Sequence, residues 1–126
     1  DNARHYVDVL DIKTPSIRQK AKNLSGGNQQ KVVFAKWLCS NSRIFIFDEP
    51  TVGVDVGARF EIYTIIEDIL RKGNAVILVS SYLPEIIGLT DRAMIFYEGK
   101  CMGCVAKPDY NEELFLNLAS GIRAGN

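Results

Sequence analysis

The sequence predicts an α/β fold, and three observations carry that expectation. Two short runs, Ile44 to Phe47 and Ala75 to Val79, are apolar at consecutive positions, as suits strands of a parallel sheet covered on both faces. Around them lie segments whose apolar residues recur at three- and four-residue spacing, the period of a helix with one buried side. The resulting order, strand, helix, strand, helix, is the order of α/β proteins.

From the N-terminus, Ala3 to Leu10 holds Tyr6, Val7, Val9 and Leu10, a pattern expected for the end of a helix that begins earlier. A polar stretch follows to Asn23, with Thr14-Pro15-Ser16 as a turn or helix start, and it leads into Leu24-Ser25-Gly26-Gly27. From Asn28 to Cys39, Val32, Val33, Ala35, Trp37 and Leu38 interleave with Gln29, Gln30, Lys31 and Lys36, which predicts an amphipathic helix. Trp37 reads as a core anchor of that helix rather than a docking residue.

Ile44 to Phe47 is the first strand, ended by Asp48-Glu49-Pro50. From Val56 to Arg71, Phe60, Tyr63, Ile66 and Leu70 recur at helical spacing, leaving Arg59, Glu61, Glu67 and Asp68 to face solvent. Lys72-Gly73-Asn74 closes this helix, glycine being suited to the left-handed residue past a helix end. Ala75 to Val79 is the second strand, and Leu83 to Leu89 a short helix with Pro84 in its first turn, where its missing N–H costs nothing. Ala93 to Tyr97 and Lys100 to Val105, joined by Glu98-Gly99, predict a hairpin, and Glu112 to Leu118 a last helix.

Composition narrows the function. An apolar fraction of 47% with 24% charged residues is ordinary globular usage and argues against disorder. Fifteen basic residues balance fifteen acidic ones, so no overall positive surplus drives binding to nucleic acid. Cys39, Cys101 and Cys104 cannot all pair within the chain and do not resemble a secreted disulfide framework, so a reducing cytoplasm is expected. No apolar stretch is long enough to cross a bilayer and no secretion signal is present, so membrane contact is expected to come through a partner.

Two motifs carry chemistry. Leu24-Ser25-Gly26-Gly27-Asn28-Gln29-Gln30-Lys31 sets a hydroxyl and two glycines at a helix start, where unpaired N–H groups and the helix dipole favour an anion. The plainer reading is that Ser25 is an N-cap and the glycines turn the chain. Asp48 and Glu49 then put adjacent carboxylates at the C-terminal end of a buried strand, the edge at which open α/β sheets bind ligands. Phosphoryl transfer uses Mg²⁺ on the phosphates and a carboxylate on the attacking water, tasks a consecutive pair can divide; alternatively, the pair is a solvated strand end entering a turn.

Together, in this order, the motifs resemble the ATP-binding cassette family. The wording Leu-Ser-Gly-Gly-Asn-Gln-Gln-Lys followed by Asp-Glu-Pro-Thr-x-Gly-Val-Asp-Val-Gly resembles the second of two tandem cassettes in bacterial sugar importers. The resemblance implies the C-terminal portion of a RecA-like core, residues 41–126, preceded by the end of an α-helical subdomain, residues 1–40. It implies ATP and Mg²⁺ as ligands and ATP hydrolysis that powers import of a sugar or similar small solute. Ser25, Gly26, Gly27, Asn28 and Gln29 match the signature that grips the γ-phosphate held by a facing cassette. Asp48 and Glu49 match the Walker B end, with Asp48 on Mg²⁺ through water and Glu49 on the hydrolytic water. Gly53, Val54 and Asp55 match the D-loop that crosses the cassette interface. The implied partners are a facing cassette, transmembrane permease subunits and, indirectly, a periplasmic solute-binding protein. The implied location is the cytoplasmic face of the cell membrane.

Two departures stand beside the match. No G-x-x-x-x-G-K-[ST] pattern occurs in the 126 residues, so the principal phosphate loop is not in this chain. Ser81, in Val79-Ser80-Ser81-Tyr82-Leu83, occupies the switch position where many cassettes carry histidine, and a serine cannot become cationic there. The rival expectations are a soluble cassette ATPase acting on DNA or the ribosome, or an interaction fragment that is inactive alone and associates with itself. Cys101-Met102-Gly103-Cys104 has metal-ligand spacing, but with no second pair and His5 the only histidine it reads as strand rather than a zinc site.

Overall fold

The computed structural model describes residues 2–122, which fall into two compact units that divide between Val79 and Ser80. In the first unit the order is α1 (Asn2–Val9), a 3-10 turn (Ala21–Asn23), α2 (Gly26–Leu38), β1 (Ile44–Asp48), α3 (Val56–Arg71) and β2 (Ala75–Val79). The strands pair in parallel, from Ile44 opposite Ala75 to Asp48 opposite Val79, with α3 as the crossover that parallel neighbours need.

The period-2 pleat decides what is buried. Phe45 and Phe47 turn inward, with Phe47 against Phe34 of α2 at a ring-centroid distance of 4.4 Å. Ile62, Ile65, Ile66 and Ile69 of α3 complete the core. Covering on both faces was expected, yet Ile44 and Ile46 on the other face are 63% and 68% exposed, and their neighbours Ile77 and Val79 are also exposed. Among the described residues only one sheet face is packed.

The helix faces differ from expectation as well. On α3 the buried stripe is Ile62, Ile65, Ile66 and Ile69, while Phe60 and Leu70 are exposed; only Ile66 belongs to both sets. Apolar residues lie on more than one side of this helix, so spacing alone does not select the stripe that meets the sheet. On α2 the inward residues are Gly27, Lys31 and Phe34, and Trp37 is half exposed with the Lys36 ammonium 5.3 Å from its ring. Trp37 is therefore not a core anchor: it falls one position before Leu38, which continues the inward stripe.

The second unit holds α4 (Leu83–Leu89), β3 (Arg92–Tyr97), β4 (Lys100–Ala106), a 3-10 turn (Lys107–Asp109) and α5 (Glu112–Ala119). Glu98 and Gly99 both take positive φ, 46° and 75°, the two left-handed residues of a tight hairpin turn. Ala93, Ile95, Val105, Phe115 and Leu118 form its core, with Leu83 and Ile86 of α4 packed against it. Asn111 caps α5 by accepting from the Leu114 N–H at 3.1 Å. Among the described residues no helix is long and apolar enough to cross a membrane.

Candidate functional site

The N-terminus of α2 is built by its own side chains. Ser25 is extended (φ −60°, ψ 157°) and its Oγ accepts from the Asn28 backbone N–H at 3.4 Å and from Asn28 Nδ2 at 2.8 Å. Asn28 Oδ1 accepts from the Lys13 N–H at 2.8 Å, and Gln29 Nε2 donates to the Leu24 carbonyl at 2.8 Å. Both amides thus hold the preceding loop against the helix start. Capping and anion contact are not exclusive, since the first N–H groups, those of Gly26 and Gly27, are unused by the helix itself.

The glycines differ in what they do. Ser25 and Gly26 are exposed, whereas Gly27 is buried. A Cβ on Gly27 would lie 2.5 Å from Ala58 Cβ and 3.9 Å from Val54 Cγ1; one on Gly26 would lie 3.2 Å from the Gly53 carbonyl oxygen. Absence of a side chain lets α2 start directly against the loop between β1 and α3. Glycine at position 27 is explained by packing, and an exposed backbone remains at Gly26.

That loop presents the remaining residues. Asp48 is the exposed last residue of β1, and Glu49 follows in the left-handed region (φ 46°) with its N–H donating to the Val79 carbonyl at 2.8 Å. A non-glycine residue at positive φ is uncommon, and this one sits at a sheet end beside a second carboxylate, where such strain often marks a functional site. Pro50, Thr51 and Val54 are buried and Gly53 has φ 72°, so the chain reverses around a fixed turn. Asp55 Oδ1 then accepts from the Ala58 N–H at 3.0 Å and caps α3. Gly53 and Val54 are thereby brought beside Gly26 and Gly27, a juxtaposition that neither motif announces. Ser81 lies in the second unit, exposed, ahead of α4.

The residue that sequence reasoning missed is Lys31. Expected on the polar side of α2, it is buried; its ammonium meets Glu61 Oε2 at 2.7 Å and donates to the Asp11 carbonyl at 3.0 Å. It ties α2 to α3 and to the chain leaving α1. Its spacing from Gly27 and Phe34 was the available signal.

An exposed helix start thus lies beside a turn that follows a carboxylate pair at a parallel strand end. The ABC transporter family model matches residues 1–52. A ribose/galactose/methyl galactoside import ATP-binding protein of Agrobacterium fabrum is 51% identical over 96% of the chain and 24% of its own length. The xylose import ATP-binding protein XylG of Thermoanaerobacter pseudethanolicus is 50% identical over 95% of the chain and 24% of its own length. An inward-facing ABC transporter of metal-chelate type superposes with a TM-score of 0.81 over 95% of the chain and 48% of that chain, at 16% identity, a likeness of fold. By the family model over residues 1–52 and by sequence identity near one half, the chain resembles ATP-binding cassette proteins. Its sequence relatives are ATP-binding proteins of sugar import, and it spans about a quarter of their length.

Proposed function

We propose that the protein carrying this chain hydrolyses ATP to power import of a sugar or similar small solute. The observation that carries the reading is the placement of Gly26 and Gly27, which follow the Ser25 cap, against Gly53 and Val54, on the turn that follows Asp48 and Glu49. Identity near one half to sugar import proteins over almost the whole chain supports the solute class.

Each residue then has a task. Asp48, an exposed acid at the end of β1, fits a hydrated Mg²⁺, which when bound neutralises phosphate charge. Glu49, held by its backbone bond to Val79, orients the hydrolytic water. The Ser25 hydroxyl and the N–H groups at the start of α2, with the positive end of that helix, receive the γ-phosphate of ATP held by a facing cassette. Gly53, Val54 and Asp55 relay between the two sites across the cassette interface. Ser81 takes the switch position as a neutral hydroxyl, which makes the site served by this strand slow or regulatory.

We read residues 1–40 as the end of the family's α-helical subdomain and 41–126 as the C-terminal part of its RecA-like core. The partners are a facing cassette and permease subunits, with a periplasmic binding protein beyond them, at the cytoplasmic face of the membrane. The test is Ser25→Arg in the intact transporter. ATP binding at this cassette's own phosphate loop should be unchanged while hydrolysis at the facing site falls about a hundredfold, the scale of one lost preorganised contact. Hydrolysis equal to the parent would refute the assignment.

A further inference from the structure

The hairpin of the second unit carries two thiols for which nucleotide chemistry has no use. Cys101 and Cys104 are three residues apart, a spacing that on a regular strand sends side chains to opposite faces. The observed register does otherwise. Gly103 pairs with Ile95 while Cys101 pairs with the next residue, Phe96, so Met102 is the extra residue of a bulge. Met102 packs against the inner cluster, and a Cβ on Gly103 would lie 3.2 Å from Leu118 Cδ1, so both bulge residues face the core. That leaves Cys101 and Cys104 together on the outer face, opposite Phe96 and Met94, which are 58% and 60% exposed. Both thiols are free and exposed.

Distance decides what the pair suits. Their cross-strand partners are two residues apart on β3, a span of about 6.8 Å. That is the upper limit of Cα separation for a disulfide, whose sulfurs must come to about 2.05 Å. Two metal–thiolate bonds of about 2.3 Å bridge roughly twice that gap without moving the backbone. Cys101 Sγ already turns along the strand, donating to the Gly103 carbonyl at 3.7 Å. The Met94 thioether is the cross-strand neighbour of Cys104, within the reach of paired side chains.

We propose that Cys101 and Cys104 form a dithiolate site for a soft monovalent cation of the Cu(I) class, with Met94 as a thioether donor. Each thiol releases its proton to solvent and its sulfur donates an electron pair, with no change of oxidation state. Thiolate and thioether donors select Cu(I) over hard cations. Structural zinc takes a four-ligand shell, whereas Cys101, Cys104 and Met94 offer three sulfurs.

The experiment titrates the reduced full chain with Cu(I) under argon against the chelator bathocuproine disulfonate. One equivalent should be retained per chain. Cys101→Ser and Cys104→Ser should each weaken retention by at least about 100-fold and Met94→Leu by about 10-fold, spanning and exceeding what outer partners of metal sites contribute. Cys39→Ser should change nothing. All four side chains lie outside the core, and far-UV circular dichroism confirms that each variant keeps the fold. Retention in Cys101→Ser or Cys104→Ser, loss in Cys39→Ser, or one ion per two chains overturns the proposal. Copper X-ray absorption should show a sulfur shell, and nitrogen or oxygen donors in place of the two thiolates would overturn it as well.

Discussion

Gly27→Ala distinguishes a glycine required by packing from one that merely turns the chain, because the two cases differ in sign. Near the start of a helix with no neighbour, alanine in place of glycine gains about 0.5–1 kcal/mol by restricting the unfolded chain and favouring the helix. Here the new methyl would lie 2.5 Å from Ala58 Cβ, whereas carbon atoms rest at about 3.5–4.0 Å. The shortfall of at least about 1 Å must come from parting α2 from α3. Both starts are held, by the Ser25 cap, the Asp55 cap and the Lys31–Glu61 ion pair. Overpacking of this kind costs about 1–3 kcal/mol, so after the helix gain is deducted the variant should be less stable by up to about 2.5 kcal/mol. Urea unfolding at fixed protein concentration measures the change. Ala58→Gly alone should cost about 1 kcal/mol in helix propensity, yet in the double variant one methyl replaces the other and the effects should be coupled by about 1 kcal/mol or more. A stabilised Gly27→Ala, or single effects that add within about 0.5 kcal/mol, would refute the packing argument.

Three further outcomes are expected. Glu61→Gln should cost about 3 kcal/mol in urea unfolding because it strands the buried Lys31 ammonium, whereas Lys31→Met, which leaves only a half-exposed carboxylate, should cost much less; equal effects would show that the pair is not the anchor of α2. The isolated chain should form a dimer or higher oligomer at micromolar concentration, because Ile44, Ile46, Ile77 and Val79 expose an apolar face and each strand is paired on one edge only among the described residues. Light scattering that shows a stable monomer would contradict this. The same chain should turn over ATP no faster than its Glu49→Gln variant, since Asp48 and Glu49 act on a phosphate that other residues must first position; saturable turnover above that control would count against the assignment of tasks.

The identity of each element was legible in the residues. Consecutive β-branched and aromatic runs at 44–47 and 75–79 became the parallel pair, Gly73 took its positive φ after α3, and Glu98-Gly99 made the hairpin turn. Pattern and turn chemistry are local properties, and local sequence states them. The motifs at 24–31 and 48–55 were likewise visible, because residue type and order are read directly from the sequence.

What faces what was settled only by packing. Periodicity allowed more than one inward stripe on α3, and contact with the sheet selected Ile62, Ile65, Ile66 and Ile69. Lys31 read as solvated until Glu61, thirty residues on, was found beside it. The packing role of Gly27 appeared only when Ala58 was found to leave no room for a methyl. The two thiols of the hairpin came to share a face because Met102 bulges. A sequence fixes the chemistry each residue offers, whereas burial, pairing and close approach are relations between distant segments. Those exist only once the chain has folded and the unfavourable alternatives have been excluded by sterics and desolvation.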